Sequence, residues 1–549
     1  MELKAVVVVP ARDEQETIGD CLLALADQTL ADDAFEIVVV LDDCRDATAD
    51  VVARYAAATG LRLSTIPGPG RGAGAARRTG MDAAARVISR HRPDGLIACT
   101  DADSRPAPDW LERQLVHIEQ GARAVAGLIE LEPEHQSALP QAVLARRRRD
   151  AAARLQRVRQ LEPNAEHHHF AGASIGITAS AYREVGGLEP VTALEDAAFA
   201  ARLHEHGIAI ARPADVLVRT SARPDGRAAR GLSVDLDVSI WLAHRRHVAS
   251  EFTPDLLAAR KGDSTVTVVV PTKDCAETID GVLTRAVKPL AELGLVDELV
   301  VIDAASADGT AEIAAAAGAT VVQQDEVATE HGPALGKGDA MWRALHVTSG
   351  EIVGFLDGDT LDPQPSHLLG LLGPILGDDS LQLVKGAFER PLQAGDRQLA
   401  NEGGRVTELM ARPLLNLHEP RLAGFAQPLA GEFAARRGLL AAIPFPVGYG
   451  VEIAVLIDAL RRHGLDALAE CHLGTRQNRH QPLRALGEMA YAILAAVELR
   501  LPAGRSVIGG NYLRPWENGT VAAVPVIERP PLTSLEGGRR DELSSSAAP

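Results

Sequence analysis

Short, continuous apolar runs recur along the chain and alternate with longer amphipathic stretches. The runs at 5–9, 37–41, 266–270 and 299–302 are rich in Val and Ile, as expected for strands that helices cover on both faces. Each of these runs ends in a turn and leads into a stretch with helical periodicity. The pattern therefore predicts an α/β fold with mostly parallel central sheets.

This pattern occurs twice. The stretch "AVVVVPARDEQETI" matches "TVVVPTKDCAETI", which places Pro271 at 261 positions after Pro10. The stretch "IVVVLDDCRDAT" matches "LVVIDAASADGT", and at the same offset Asp303 stands opposite Asp42. The acidic motifs "CTDADS" and "FLDGDT" match at an offset of 256. Three matches in one order predict two copies of one domain.

The repeat also predicts the domain boundaries. The interval between the copies, "HVASEFTPDLLAARKGDS", lacks the strand pattern, and periodicity is lost after about residue 504. We predict a first domain over 1–245, a linker over 246–263, a second domain over 264–503 and a largely disordered tail over 504–549.

Polar residues follow the predicted strands in both copies. Asp13 with Glu16, and Asp274 with Glu277, have the spacing of a capping box and predict that a helix begins just after the first strand. The carboxyl ends of parallel strands line the ligand crevice of an open α/β sheet. The repeated polar motifs are therefore expected to converge on one crevice in each domain.

The acidic pairs suggest a metal site in each crevice. Asp101 with Asp103, and Asp357 with Asp359, lie one residue apart after an apolar run. Such a pair can hold Mg²⁺ or Mn²⁺ while leaving coordination positions for a diphosphate, and the metal would neutralise the charge that grows on a departing phosphate. The alternative is that these residues only form turns at strand ends.

Composition limits the partners. The formal net charge of −18 argues against nucleic acid or an anionic membrane as the main partner. Five scattered cysteines without a C-x-x-C pair indicate reduced thiols and a cytoplasmic location. The most apolar long window, 438–460, contains two prolines and two acidic residues, so no membrane-spanning segment is expected.

The first copy resembles glycosyltransferase family 2 of the GT-A fold, the nucleotide-diphospho-sugar transferases with a Rossmann-like sheet. The stretches "VVVPARDE", "LDDCRDAT" and "TDADS" carry this likeness over roughly residues 5–245. It implies that Asp101 and Asp103 bind metal and that Asp196 is the general base for an inverting transfer. It also implies that the nucleotide is bound by Pro10, Arg12, Glu14, Asp42 and Asp43. The residues alone leave open that Glu195 and Asp196 only start a helix at its positive end.

The second copy resembles the glucosyl-3-phosphoglycerate synthase family more closely. Seven stretches match in order over about 264–503: "ASADGT", "GKGDAMWRAL", "FLDGDT", "GGRVTELMARPLL", "QPLAGEFAARR", "GYGVEIAVLID" and "RQNRHQPLRALGEMAYAIL". The resemblance implies a retaining GT-A transferase that uses a divalent metal, UDP-glucose and 3-phosphoglycerate. The implied site residues are Pro271, Asp274, Ser306, Lys337, Asp339 and Arg476 at the nucleotide, Asp357 and Asp359 at the metal, Gly404, Arg405, Thr407 and Leu429 at the acceptor, and Glu452 at the reacting sugar.

Three of these positions also suggest a function from their chemistry. Arg405 follows two glycines that let backbone amides approach an anion, and Lys337 stands between two glycines as a mobile cation. Both stretches are equally consistent with a glycine-rich turn before a helix. Glu452 lies in an apolar helix, where a carboxylate is costly unless it has a partner or a task.

The second copy departs from the family pattern in two places. The family has Asn-Glu-Glu after its first strand, whereas this chain has Cys275 and Ala276 after Asp274, which leaves UDP or GDP open as the donor nucleotide. The family's metal-binding His corresponds to Asn478, and an acceptor-binding Asn corresponds to His480. Either His480 takes the metal, or Asn478 supplies an oxygen ligand and the acceptor differs.

Two motifs of the first copy are not explained by these resemblances. Three consecutive histidines, His167–His169, rarely converge on one ion, so we favour a loop or acceptor-site role over a metal site. The stretch "RRRRDAAARLQRVR" (146–159) predicts a basic helix. It is suited to an anionic acceptor, although a solvated helix face is the simpler interpretation.

The leading interpretation is an enzyme with two GT-A domains that use nucleotide-sugar donors. The second domain would glucosylate 3-phosphoglycerate or a similar small phosphorylated acid, and the first would act on an unknown acceptor. One alternative is that one copy is a binding or oligomerisation module. Another is a sugar nucleotidyltransferase, because related folds use similar carboxylates. The sequence also allows a homodimer.

Overall fold

The computed structural model describes most of the chain and divides it into two compact units. The described residues are 2–189, 195–222, 231–390, 392–394, 397–399, 403–476, 483–501, 510–514, 516 and 520–535. The first unit spans residues 1–240 and the second spans 241–549. We refer to them as the first and the second domain.

Strands and helices alternate through most of the first domain, as the apolar pattern predicts. The strands are β1 (Ala5–Ala11), β2 (Phe35–Leu41), β3 (Leu63–Pro67), β4 (Leu96–Cys99), β5 (Ser104–Pro106), β6 (Ala124–Ala126), β7 (Leu128–Leu131), β8 (Ile175–Thr178), β9 (Ile210–Ala211) and β10 (Leu217–Thr220). The helices are α1 (Ile18–Ala26), α2 (Thr48–Thr59), α3 (Ala73–Ile88), α4 (Trp110–Glu119), α5 (Pro133–Ala138), α6 (Gln141–Val158), α7 (Ala179–Glu184), α8 (Glu195–Glu205) and α9 (Leu232–His244).

The central sheet of the first domain is mostly parallel. Within the described residues, seven strands follow the order β3-β2-β1-β4-β8-β6-β9. Neighbouring strands run parallel except where β8 pairs with β4 and with β6. A smaller sheet has the order β5-β10-β7, and its strand β5 begins at Ser104, directly after the acidic pair Asp101 and Asp103.

Both faces of this sheet are covered, which explains the continuous apolar runs. Along β1, Val6 and Val8 pack into one apolar cluster, whereas Val7 and Val9 pack into another. Successive strand residues point to opposite faces, so the two clusters lie on opposite sides of the sheet. The sheet thus forms the middle layer of the domain.

The boundary at residue 240 falls within α9, so its last four residues belong to the second domain, which also contains the remaining elements. The strands are β11 (Arg246–Val248), β12 (Val266–Thr272), β13 (Glu298–Asp303), β14 (Thr320–Gln323), β15 (Ile352–Phe355), β16 (Leu383–Glu389), β17 (Leu392–Ala394), β18 (Arg397–Leu399), β19 (Phe433–Arg436), β20 (Phe445–Pro446), β21 (Leu468–Thr475), β22 (Asn511–Arg514), β23 (Thr520–Ala523) and β24 (Glu528–Arg529). The helices are α10 (Pro254–Lys261), α11 (Ile279–Gly281), α12 (Lys288–Glu292), α13 (Thr310–Ala316), α14 (Lys337–Val347), α15 (Pro365–Gly377), α16 (Arg412–His418), α17 (Arg437–Ala442), α18 (Val451–His463) and α19 (Ala485–Glu498), and π-helical turns cover Val282–Val287 and Thr407–Ala411.

The second sheet repeats the first. Its order is β14-β13-β12-β15-β19-β16-β21-β11 among the described strands. The first seven positions match those of the first domain, including an antiparallel strand, β19, that pairs with β15 and β16. The predicted α/β fold with mostly parallel central sheets, present in two copies, is therefore confirmed.

The segment between the copies contributes to the second domain. Residues 246–263, predicted as a linker, contain β11 and α10. β11 pairs in parallel with β21 and forms one edge of the second sheet. A three-residue strand is too short to stand out in the sequence, which is why the segment was predicted as a linker and not as part of the second sheet.

Part of the predicted disordered tail is also ordered. Strand β24 pairs with β20, and the carbonyl of Pro530 accepts a hydrogen bond from Trp342 at 2.8 Å. Arg529 is buried, and its Nε lies 2.6 Å from Oδ1 of Asp339. Arg343 lies 3.0 Å from the other carboxylate oxygen of Asp339. A buried carboxylate between two guanidinium groups requires both cations, so the tail residue stabilises the fold.

We predict that Arg529→Ala lowers the free energy of unfolding by about 3 kcal/mol, because it leaves a buried charge network incomplete. Calorimetric unfolding of the full chain measures the change. The control is Arg461→Ala, which removes a partly exposed partner of Glu419 and should cost about 1 kcal/mol or less. Equal losses in the two variants would show that Arg529 contributes no more than a surface pair.

Candidate functional site

The turns after the first strands are held in the same way in both domains. Asp13 and Asp274 adopt positive φ values of 49° and 52°. Asp13 accepts a hydrogen bond from the amide of Arg45, and Asp274 accepts one from the amide of Ala307. The predicted capping role is therefore wrong for both residues. Helices α1 and α11 begin later, at residues 18 and 279, because these carboxylates instead tie the first turn to the second.

The structure changes by one residue the correspondence between the second pair of matched stretches, at 37–48 and 299–310. Ala11 lies opposite Leu41 in the first sheet, and its counterpart Thr272 lies opposite Asp303 in the second. Asp303 therefore corresponds to Leu41 and not to Asp42, as the sequence match had it. Asp303 accepts hydrogen bonds from Thr272 and from the Ser306 turn.

The predicted nucleotide residues of the first domain lie around Asp42. This buried carboxylate accepts hydrogen bonds from the amides of Gly70 and Gly72 at 2.6 and 3.1 Å. Arg12 lies 3.9 Å from Asp42 and 3.5 Å from Asp43. The site residues Pro10, Arg12, Glu14, Asp42 and Asp43 thus lie at or just beyond the ends of the neighbouring strands β1 and β2.

The acidic pair of the first domain meets a buried arginine. Nη2 of Arg77 lies 2.6 Å from Oδ1 of Asp101, and Nη1 contacts Glu195. The two carboxylates raise the pKa of Arg77 against the effect of its burial. Asp103 lies in the same turn, where its carbonyl accepts a hydrogen bond from the amide of Ser221. Arg77 was not predicted from the sequence, because "AARRTG" in an amphipathic helix gives no indication of this contact.

Glu195 and Asp196 have different surroundings. Glu195 contacts Arg77, whereas Asp196 accepts a hydrogen bond from the amide of Ala197 at the start of α8. Burial, and then the charge of Glu195, raise the pKa of Asp196. A carboxylate with a raised pKa is the better proton acceptor, as a general base requires. The helix-start interpretation also applies, since both residues lie in the first turn.

In the second domain a lysine takes the place of Arg77. Nζ of Lys337 lies 2.7 Å from Asp357 and 3.0 Å from Glu452. Lys337 is the first residue of α14, and Glu452 lies in the first turn of α18. The two carboxylates raise the pKa of Lys337 although burial opposes the charge. The costly carboxylate in the apolar helix therefore has a partner.

The backbone approaches this cluster closely at Gly431. A Cβ at this position would overlap Nζ of Lys337 and the carboxylate of Asp357. Burial, and then the charge of Asp357, raise the pKa of Asp359. Two neighbouring carboxylates repel each other, and a cation bound between them would relieve this repulsion.

Two arginines near the acidic pair extend the cluster. Arg476 is almost fully buried against Glu432, and its Nη1 has no hydrogen-bond partner within the described residues. Arg390 packs over Phe388 with 4.8 Å between the guanidinium carbon and the ring centre, and its buried Nε is also unpaired there. Arg476 was implied by the family resemblance, whereas Arg390 and Glu432 were missed. Unpaired guanidinium nitrogens beside two aspartates are suited to a phosphate.

The predicted acceptor residues lie next to Arg390. The carbonyl of Arg390 accepts a hydrogen bond from the amide of Gly403 at 2.9 Å. Gly404 has a φ of 70°, a conformation that glycine adopts without strain. Arg405 is half-buried and Thr407 is buried. Leu429 is half-buried two residues before Gly431.

One predicted nucleotide residue is wrong. Asp339 is fully buried, and Arg343, Arg529 and the amide of Leu335 occupy its carboxylate oxygens. It therefore stabilises the packing of α14 and does not face a crevice. Pro271 and Ser306, in contrast, lie at the ends of β12 and β13 as expected. Asn478 and His480 lie outside the described residues, so the choice between them stays open.

The acidic pairs suit a divalent cation only when other ligands complete its shell. Among the described residues, no three His, Cys, Asp or Glu side chains converge to hold an ion alone. Asp357 and Asp359 supply carboxylate oxygens, the donors that Mg²⁺ and Mn²⁺ prefer. Burial and the charge of Asp357 raise the pKa of Asp359, so a cation bound at the pair would favour its ionised form. The residues therefore fit a metal that a diphosphate also ligates.

Comparison with known proteins identifies the family. The model of glycosyl transferase family 2 matches residues 6–185 and 267–404, which is more than half of the chain and includes both acidic pairs. The chain belongs to glycosyl transferase family 2. The predicted family, fold class and enzyme class are thereby confirmed.

Individual relatives match one half of this glycosyltransferase. Glucosyl-3-phosphoglycerate synthase of Mycolicibacterium smegmatis is 42% identical over 298 residues, covering 54% of this chain and 98% of the relative. The crystal structure of mannosyl-3-phosphoglycerate synthase from Rubrobacter xylanophilus has a TM-score of 0.48 at 42% identity, covering 54% and 98% of the two chains. Glucosyl-3-phosphoglycerate synthase from Mycobacterium tuberculosis, with Mn²⁺, UDP-glucose and phosphoglyceric acid, has a TM-score of 0.47 at 40% identity, covering 52% and 95%.

These findings do not favour the alternatives of a binding module or a nucleotidyltransferase. The family model matches both halves, and the relatives are named as synthases. In the described part of the chain, every helix is too short or too polar to cross a bilayer.

We predict that Mn²⁺ binding by the second domain weakens as the pH falls, starting at a higher pH than for an ordinary aspartate. The reason is that Asp359 must lose its proton to bind a cation, and its pKa is raised. Titration calorimetry with Mn²⁺ and UDP-glucose across pH measures this. Asp359→Asn should abolish the dependence, whereas Asp362→Asn, a change of an exposed carboxylate in the same loop, should preserve it. A profile that Asp359→Asn leaves intact would contradict the assignment.

Proposed function

We propose that the second domain transfers glucose from UDP-glucose to 3-phosphoglycerate with retention of the anomeric configuration. The observation that carries this proposal is the 42% identity with a glucosyl-3-phosphoglycerate synthase across 98% of that relative. The motifs that match this family lie in the second domain. Two of them contribute Lys337 and Asp357 to the charged cluster, which is the candidate site of the reaction. The transfer breaks the bond between glucose and the diphosphate and joins glucose to the acceptor hydroxyl.

The side chains of the second domain suit this reaction. In the part of the chain that the structure describes, Arg476 and Arg390 each have an unpaired side-chain nitrogen beside the acidic pair, where they would bind phosphate oxygens. A bound Mg²⁺ or Mn²⁺, held by Asp357 and Asp359, would stabilise the charge of the departing diphosphate. Lys337 holds Glu452 in place for contact with the sugar. The hydroxyl proton would pass to the leaving phosphate on the same face, so no protein nucleophile is required.

The acceptor would bind at the glycine loop. Gly403 and Gly404 bring the backbone close to Arg390, and Arg405 follows immediately. This arrangement suits the phosphate and carboxylate of a small phosphorylated acid.

We also propose that the first domain transfers a sugar, with inversion of the anomeric configuration, to a different acceptor. It has the acidic pair Asp101 and Asp103, a buried cation in Arg77, and Asp196 with a raised pKa. A general base is what an inverting transfer requires, because the acceptor attacks from the face opposite the leaving group. The cytoplasmic location expected from the sequence remains a prediction, and the homodimer that the sequence allows is untested.

The experiment that tests the overall proposal is product analysis by mass spectrometry. The chain is incubated with 3-phosphoglycerate, Mn²⁺ and either UDP-glucose or GDP-mannose, and the anomeric configuration of the product is determined by NMR. The expected product is α-linked glucosyl-3-phosphoglycerate from UDP-glucose. Pyrophosphate release from a sugar phosphate and a nucleoside triphosphate would instead support the nucleotidyltransferase alternative.

We predict that Arg405→Ala raises the KM for 3-phosphoglycerate about a hundredfold, because the loss of a charge-assisted contact to the anion weakens its binding. The KM for UDP-glucose should change little. Steady-state kinetics measure both constants. The matched control is Arg412→Ala, which removes an arginine seven positions after Arg405 that pairs with Glu408. Equal rises in both KM values would argue against an acceptor role for Arg405.

We predict that Asp196→Asn slows donor turnover by the first domain by about a hundredfold or more, because the amide cannot accept a proton. The assay is performed in an Asp359→Ala background, so that the second domain is inactive. Donor binding, followed by calorimetry, should be retained. Turnover at the parental rate would mean that Asp196 only starts helix α8.

A further inference from the structure

Two members of the charged cluster in the second domain stand at the beginning of helices. The side chains of Lys337 and Glu452 lie 3.0 Å apart. Lys337 is the first residue of α14, and Glu452 is the second residue of α18. The first amides of a helix have no partner within the helix, and the residues before these two helices, Gly336 and Gly450, have no side chain that could cap them. The contact between Lys337 and Glu452 therefore depends on what else holds the two helix starts.

The segment around strand β20 lies against the start of α14. The carbonyl of Val447, the residue after this strand, accepts a hydrogen bond from the amide of Asp339 at 3.1 Å. The packing is close, because a Cβ at Gly338 would overlap the carbonyl oxygen of Pro446. Four residues separate β20 from the first residue of α18. One short segment therefore satisfies an amide in the first turn of α14 and leads directly into α18.

Strand β24, near the C-terminus of the chain, pairs with β20. Pro446 lies opposite Glu528, and the residue before it lies opposite Arg529. The amide of Val447 donates a hydrogen bond to the carbonyl of Ile527 at 3.1 Å. A two-stranded sheet of this length has little stability by itself. Side chains are therefore needed to attach the pair of strands to the rest of the domain.

The side chains of β24 attach it to both helices. Nε of Arg529 lies 2.6 Å from Oδ1 of Asp339 in the first turn of α14. Glu528 accepts a hydrogen bond from Nη1 of Arg500 at 2.7 Å. Arg500 in turn donates to the carboxylate of Asp458 in α18, with distances of 3.0 Å from Nε and 2.6 Å from Nη2. Both arginines are buried, and the loss of one partner of a buried ion pair disturbs its surroundings more than the loss of a surface pair does.

We propose that Glu528 and Arg529 are positioning residues of the second domain, which fix the starts of α14 and α18 relative to each other and so hold Lys337 against Glu452. The catalytic consequence rests on the proposed transfer of glucose, whereas the positioning rests on the contacts alone. A displacement of about 1 Å can lower the rate of a reaction about a hundredfold even when the altered residue is remote from it. This role differs from a contribution to stability, because it requires a loss of rate in protein that is still folded.

The kinetic test compares Glu528→Gln and Arg529→Gln with the parent in the full chain. It is performed at a temperature where circular dichroism shows that every variant is folded. Each of the two variants should lower kcat for glucosyl transfer about tenfold or more, because Lys337 and Glu452 are less well aligned. The KM for 3-phosphoglycerate should stay at the parental value, because residues 403–407, which are proposed to bind the acceptor, belong to another segment.

The matched control is Arg437→Ala, which acts on the other end of the same helix. Arg437 donates hydrogen bonds to the carbonyls of Leu345 and Thr348 at the C-terminal end of α14. Its loss should lower the free energy of unfolding and leave kcat at the parental value. A parental kcat in both Glu528→Gln and Arg529→Gln, or an equal loss of kcat in Arg437→Ala, would overturn the positioning role.

NMR of the Lys337 side chain tests the positioning without catalysis. Lysine side chains are isotope-labelled, and the signal that is lost in Lys337→Met identifies Lys337. This signal is expected to shift in Glu528→Gln and Arg529→Gln and to stay in place in Arg437→Ala. An unshifted signal in the first two variants would overturn the inference. A shifted signal in a chain whose parent forms no glucosyl-3-phosphoglycerate would refute the proposed function and leave the positioning standing.

Discussion

In each domain, one buried basic side chain joins two carboxylates that come from different parts of the chain. Arg77 connects Asp101 with Glu195, and Lys337 connects Asp357 with Glu452. Without these cations the carboxylates would repel one another in a partly buried place where water shields their charges less than at the surface. The cation sets the distance between the acidic turn and the first turn of a downstream helix, and so the shape of the crevice.

The two domains obtain this cation from different positions on equivalent helices. Lys337 is the first residue of α14, whereas Arg77 lies one helical turn after the first residue of α3. Both positions lie on the same face of the helix, because one turn separates them. The chemistry of the guanidinium and the ammonium differs: Arg77 offers two nitrogens in a rigid fork, and Lys337 offers one compact charge. This difference is consistent with two crevices that handle different substrates.

The surroundings of the acidic pairs also differ. Arg390 and Arg476 lie close to the pair of the second domain and have unpaired nitrogens among the described residues. In the first domain, the acidic pair instead meets Arg77, whose two terminal nitrogens contact Asp101 and Glu195. The repeat preserves the core of the site and varies its periphery.

The sequence alone determined the two-copy α/β fold, the family and the acidic pairs, because apolar periodicity and short motifs are local properties. It did not determine what each polar side chain contacts. Asp339 stands in a motif like a site residue, yet Arg529, 190 positions later, buries it in an ion pair. Arg77, Arg390 and Glu432 had no distinctive motif, since their role depends on residues brought together by the sheet. The register of strand pairing likewise makes Leu41, and not Asp42, the counterpart of Asp303.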